Sequence, residues 1–206
     1  AAGARPRGEP GGAAALPAAL RAAQGRQPLA RELLAGLTLP KVWELLLAED
    51  WPVEDFLREE HGAYDISPST WESGEHGADV LVRRVHLEMP TPADVPGTIK
   101  RLVGIPHSTR VTMLFTAYLR EGELVLVQRT RAHEVTCGES FWVQDIFSFR
   151  PAPVQGLVLS RWTEVQWVQT LPWTYDLIKY FIEKKTLEGA MAGIQTFARV
   201  LEGAAQ

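Results

Sequence analysis

The C-terminal third of the chain constrains the fold most. A strand-like run, Gly156 to Gln169, passes through Leu171-Pro172-Trp173 into one long segment, Thr174 to Leu201. That segment sets Leu177, Ile178, Phe181, Ile182, Leu187, Met191, Ile194, Phe197 and Leu201 at spacings of mostly three and four. This is helical periodicity, with an apolar stripe wider than a coiled-coil seam. A long helix that arrives after a run of strands has to bury its stripe against their sheet. The expected result is a curved antiparallel sheet wrapped around one helix, an arrangement that leaves room for an apolar molecule between the two.

Upstream segments fit that plan. Thr38 followed by Pro40 predicts a capped short helix over Leu39–Leu47, and Asp50 with Pro52 and Gly62 predicts a second that ends at His61. Residues 29–39 leave room for a first short strand or helix. Extended or alternating runs follow at 64–71, 79–89, 109–120, 124–135, 140–150 and 156–169, with Glu121-Gly122-Glu123 as a compact hairpin connection. Two short helices, a meander of about six strands and a long final helix make an α+β layout. Residues 29–203 read as one domain.

Composition narrows the function classes. No stretch approaches the ~18–20 apolar residues of a membrane span. A single cysteine, Cys137, excludes an intramolecular disulfide, and with five scattered histidines it excludes a Cys-rich zinc site. Residues 1–31 carry five arginines against Glu9 alone, so the rest holds a net charge of −8 within the total of −4. An acidic domain is a poor partner for nucleic acid. Residues 1–28, rich in Ala, Gly, Pro and Arg, read as a disordered or extended arm. A flexible linker, the remnant of a chloroplast or mitochondrial targeting segment, and a strap along a protein partner all remain open for it.

Several stretches, in order, resemble one family. Trp51 to Gly62 looks like its early helix, and Tyr64-Asp65 with Trp71 looks like its first long strand. Arg83-Arg84-Val85 looks like a later strand. Val135 to Phe141 is similar to its Val-Pro-Tyr-Gly-Asp-x-Phe stretch, keeping Val135, Gly138 and Phe141. Trp173, Ile178, Lys179, Ile182 and Glu183 resemble the Trp-x(4)-Ile-Lys-x-x-Ile-Glu pattern that opens its terminal helix. The family is the VASt domain, a relative of the START lipid-transfer domains. The resemblance implies the helix-grip fold, an intracellular place at cytoplasmic membrane contact sites, and binding and transfer of a sterol or other amphipathic lipid without catalysis or cofactor. The Pro-Tyr pair before Gly138 is missing here, and a ligand-free interaction module within a larger assembly stays open beside the carrier.

For a cavity under the terminal helix, alternation selects Met113, Phe115, Leu126, Phe141, Val143, Val165 and Trp167 from the strands, and Leu177, Phe181 and Ile182 from the helix. An ordinary packed core is the competing reading of each. Residues 90–107 form the candidate lid or membrane-touching loop, with Lys100 and Arg101 among Ile99, Leu102, Val103 and Ile105. An enzyme built on the same cavity would need polar groups converging inside it, so the facing of His86, His133, Glu134 and Asp145 tests that idea. Gly189 and Gly193 inside the final helix signal either close backbone approach or a weak helix.

Overall fold

The computed structural model describes residues 25–74, 80–93, 95, 97–98, 100, 106–120, 122–135 and 137–206. Most of the N-terminal arm, Glu121 of the hairpin connection and most of the loop segment 99–105 lie outside the described residues. Eight antiparallel strands form one curved sheet in the order β1-β8-β7-β6-β5-β4-β2, with β3 also paired to β4. They are β1 Ala30–Leu34, β2 Tyr64–Pro68, β3 Glu72–Ser73, β4 Val80–Pro90, β5 Ser108–Arg120, β6 Glu123–Ala132, β7 Phe141–Pro151 and β8 Leu157–Trp167. The helices are α1 Leu39–Leu47, α2 Pro52–His61 and α3 Asp176–Ala204, and a 3-10 turn, Trp173–Tyr175, leads into α3. This is the helix-grip fold.

Residues 29–39 resolve to a strand: β1 pairs with β8 from Ala30↔Arg161 to Leu34↔Leu157. Thr38 caps α1 as expected, its hydroxyl accepting from the Lys41 N–H at 3.4 Å. The cap of α2 differs from expectation. Trp51 occupies that position in place of Asp50 and offers no side-chain bond, because Pro52 starts the helix one residue later than an Asp50 cap requires. Gly62 stops α2 in the left-handed region at φ 61°.

The concave face carries the core. Val85, Met113, Phe115, Leu126, Phe147, Phe149 and Leu159 meet Val42 and Leu46 of α1, Phe56 and Leu57 of α2, and Ile194, Phe197 and Leu201 of α3. Phe197 is the centre: its ring lies 4.9 Å from Phe56 and 4.8 Å from Phe147. Arg83 also faces inward, between the rings of Trp51 at 4.9 Å and Trp71 at 5.2 Å, with its Nε–H on the Ser69 carbonyl.

Polar side chains interrupt this core midway along the strands. Asp145 of β7 and Arg161 of β8 form a fully buried pair at 2.8–2.9 Å, and Thr163 donates to the same carboxylate at 2.6 Å. Arg161 also donates to the Ala190 carbonyl of α3 at 3.0 Å. The pair therefore ties the sheet to the terminal helix. It also marks a boundary: the aromatic core lies on one side of it, and a cleft opens on the other.

Candidate functional site: the cleft beneath the terminal helix

Four strands end at the cleft. Met89 and Pro90 of β4, Thr109 and Val111 of β5, Thr130 and Ala132 of β6, and Phe141 and Val143 of β7 make its floor. Ile178, Phe181 and Ile182 of α3 roof it, Glu60 and His61 end α2 at one side, and Thr91, Pro92, Val95 and Val135 come from loops. The cleft is half open to solvent, its volume is about 490 Å³, and the lining is predominantly apolar. Small-molecule sites run to roughly 300–1,000 Å³ with such linings.

Local sequence explains the walls. The loop after β4 is pinned at its neck, where the Thr91 N–H donates to the His107 carbonyl at 2.8 Å and its hydroxyl to the Pro106 carbonyl at 2.5 Å. Val95 from that loop packs on Ile178. At the β6–β7 connection Gly138 is obligatory, because a Cβ there would stand 2.5 Å from Val135 Cγ2 and 2.8 Å from the Ala132 carbonyl. That tight turn brings Val135 and Phe141 to the same wall.

One polar edge interrupts the apolar lining. His61 packs edge-on to Phe56 at 5.7 Å. Burial and the nearby Arg161 guanidinium hold its imidazole down to about 4, against a smaller opposing pull from Asp145, so the ring is neutral at physiological pH. A neutral imidazole both donates and accepts, and with the Thr109 and Thr130 hydroxyls it can orient one polar group on an otherwise apolar ligand.

Phe141, Val143, Phe181 and Ile182 stand in the lining as the sequence selects them. Met113, Phe115 and Leu126 do not. They face inward but sit deeper, fully buried in the aromatic core. Val165 and Trp167 lie beside Val143 and Phe141 on β8 without entering the lining. Trp167 buttresses the wall: its ring rests 4.9 Å from Phe141, and its Nε1–H donates to Glu183 at 2.8 Å. Leu177 points the other way and is 68 % exposed. Sequence reading missed His61, Thr109, Val111, Thr130, Ala132 and Val135. The signal for the strand residues was positional, since each stands where its strand runs out.

The test residues for catalysis divide. His86, His133 and Glu134 lie on the other side of the sheet, in a groove of about 580 Å³ that also holds Asp65, Glu88, Arg110, Thr112 and Glu139. There Thr112 Oγ1 bridges His86 Nδ1 at 3.2 Å and His133 Nε2 at 2.9 Å, and Arg110 pairs with Glu134 at 2.5 Å. Hydrogen bonds from Ser108 and Tyr64 hold the Glu88 carboxyl below its ordinary range. The charged lining of this groove offers little for an apolar ligand, so the lipid-sized site is the cleft. Asp145 alone turns inward, where Arg161 engages it. Burial raises the Cys137 thiol. Among the described residues no group of three or more His, Cys, Asp or Glu is placed to hold a metal ion.

A curved sheet, a helix laid across it and an apolar cleft between them define a lipid-binding helix-grip domain. The profile of the VASt family, the VAD1 Analog of StAR-related lipid transfer domain, matches residues 35–189, and the chain belongs to that family. No curated protein matches the chain.

Proposed function

We propose that this domain holds a sterol-like lipid in the cleft, with the rings against Phe141, Val143, Ile178, Phe181 and Ile182 and the hydroxyl toward His61 and the two threonines. The observation that carries the reading is the apolar lining with a single polar edge. Burial of ligand surface at about 25 cal/mol per Å² supplies the driving force, and no reaction is required.

The terminal helix supports a membrane step. Trp173, Leu177 and Tyr180 are 82, 68 and 62 % exposed, and Lys184, paired with Glu188, follows one turn on. Ile178, Phe181 and Ile182 line the cleft from the same turns. Docking that face on an anionic bilayer would bring the cleft mouth to the lipid, with indole and phenol at the interface. Val95, which packs on Ile178, would part from the helix to admit the ligand. Transfer between membranes extends the same cycle.

The test is uptake of a fluorescent sterol from vesicles by the full chain, repeated with Val143→Trp to fill the cleft. We expect stoichiometric uptake that Val143→Trp abolishes while the circular dichroism spectrum is kept. No uptake by the unaltered chain, from vesicles of any sterol content, would overturn the carrier reading. A second reading is favoured by one observation: Leu187 and Met191 continue the exposed line of Trp173, Leu177 and Tyr180 at helical spacing. Such a line also suits a partner helix, as an interaction module requires.

A further inference from the structure

The polar edge of the cleft carries a carboxylate. Glu60 ends α2 beside His61 and lines the cleft, and among the described residues neither lysine nor arginine joins that lining. The side chain is half-buried against α3. A Cβ built on Gly193 would stand 2.9 Å from both its Cδ and its Oε1. The missing side chain at Gly193 is what makes room for the carboxylate.

Nothing in the fold answers this group. Among the described residues no hydrogen bond or ion pair engages Glu60. Its neighbours on α2 differ: Glu54 is held by Arg58 at 2.6 Å and Glu59 by Arg199 at 2.5 Å. Arg161 comes close, with Nη1 3.1 Å from the position a Gly193 Cβ would take, but that guanidinium is committed to Asp145 and to the Ala190 carbonyl. Asp145 and Arg161 offset each other, and the His61 imidazole, held down to about 4, adds no charge at physiological pH. Glu60 therefore leaves the edge negative. A carboxylate only accepts hydrogen bonds, and one left unanswered in a half-buried site is costly. The group that completes the site has to be a donor. A hydroxyl there can donate to Glu60 and accept from His61 or a threonine, which fills both of its roles.

We propose that Glu60 sets the head-group specificity of the cleft, accepting a hydrogen bond from a ligand hydroxyl or ammonium and excluding anionic head groups. The assignment presupposes the carrier reading and narrows its ligands to amphipathic alcohols and amines. Fatty acids and sulfated sterols are rejected.

Competition on the full chain tests it. A bound fluorescent sterol is displaced by cholesterol, by the amine that replaces its hydroxyl, or by its sulfate ester. We expect the sulfate to bind at least ~10-fold more weakly than cholesterol. Glu60→Gln keeps an acceptor of the same shape without the charge. In that chain the sulfate should gain ~10-fold or more and the amine should lose as much, while cholesterol changes less than ~3-fold. Equal affinities for the three heads in the unaltered chain would overturn the proposal alone. So would a Glu60→Gln chain that keeps the original ranking at an unchanged thermal midpoint, since size rather than charge would then exclude the sulfate. A chain that binds neither the fluorescent sterol nor cholesterol would overturn the carrier reading and this specificity with it.

Discussion

At the scale of single residues, the buried Asp145–Arg161 pair is the most sensitive point. Removing one partner of a buried ion pair strands the other charge, which costs about 3–5 kcal/mol. We expect Asp145→Ala to lose that much in urea denaturation, and Asp145→Leu/Arg161→Met to recover most of it. Two glycines of α3 separate in the same assay. A Cβ at Gly193 would meet the Glu60 carboxylate at 2.9 Å and Arg161 Nη1 at 3.1 Å, whereas one at Gly189 would meet nothing. Gly193→Ala should therefore destabilise by about 1–3 kcal/mol, and Gly189→Ala should stabilise by up to about 1 kcal/mol. Of the two alternatives open in the sequence, close approach holds at Gly193, while Gly189 has open space beside it and the helix runs unbroken through both. His61 supplies a pH dependence. Its folded value of about 4 lies below the ordinary 6.5, so the unfolded chain takes up the proton first. The stability it contributes is complete above about pH 6.5 and drains away as pH falls toward 4. Between pH 7 and 5 the loss should be on the order of 1–2 kcal/mol, because one edge of the ring faces the cleft. Replacing His61 with Asn should flatten that part of the pH profile.

At the scale of elements, α3 has two apolar faces where the sequence showed one broad stripe. Ile178, Ile194, Phe197 and Leu201 are buried, while Leu177, Leu187 and Met191 are exposed. Neighbours such as Leu177 and Ile178 stand about 100° apart around a helix, so a spacing of mostly three and four merges the faces. Only the sheet's position distinguishes them. The exposed face has its own consequence. Trp173→Ser with Leu177→Asp should weaken sedimentation with anionic vesicles by ~10-fold or more, yet leave the thermal midpoint nearly unchanged. An equal fall in thermal midpoint would return the face to a packing role. The strands show a complementary limit. Alternation placed Met113, Phe115 and Leu126 on the correct side of the sheet, but a period of two carries no information about depth along the strand. The cleft lies where β4, β5, β6 and β7 end, and those ends pair through long-range register that no local pattern encodes. The four cleft residues that were legible, Phe141, Val143, Phe181 and Ile182, sit in segments whose motifs already marked an element boundary.

At the scale of the whole molecule, the α+β layout was legible because each strand carries its own alternation and the final helix its own period. For β1 the sequence left strand and helix open, and β3 was not legible, since Ala30–Leu34 and Glu72–Ser73 are too brief to establish a period. They become strands only through their partners β8 and β4. The contact at the far end of α3 now takes on meaning. The Glu202 carboxylate accepts the Ala35 N–H at 2.9 Å, and Ile194, Phe197 and Leu201 are sunk in the core, whereas the first turns bury Ile178 alone to a comparable depth. The helix is a cantilever, clamped at its tail and loaded at its tip. From Gly193 to Asp176 the arm is about 26 Å long. A tilt of ~10° about the Arg161 anchorage would raise the tip by about 4–5 Å over that length. Such a tilt would break the Trp167–Glu183 bond near the tip yet leave the core shut, because opening and stability act at opposite ends of one beam.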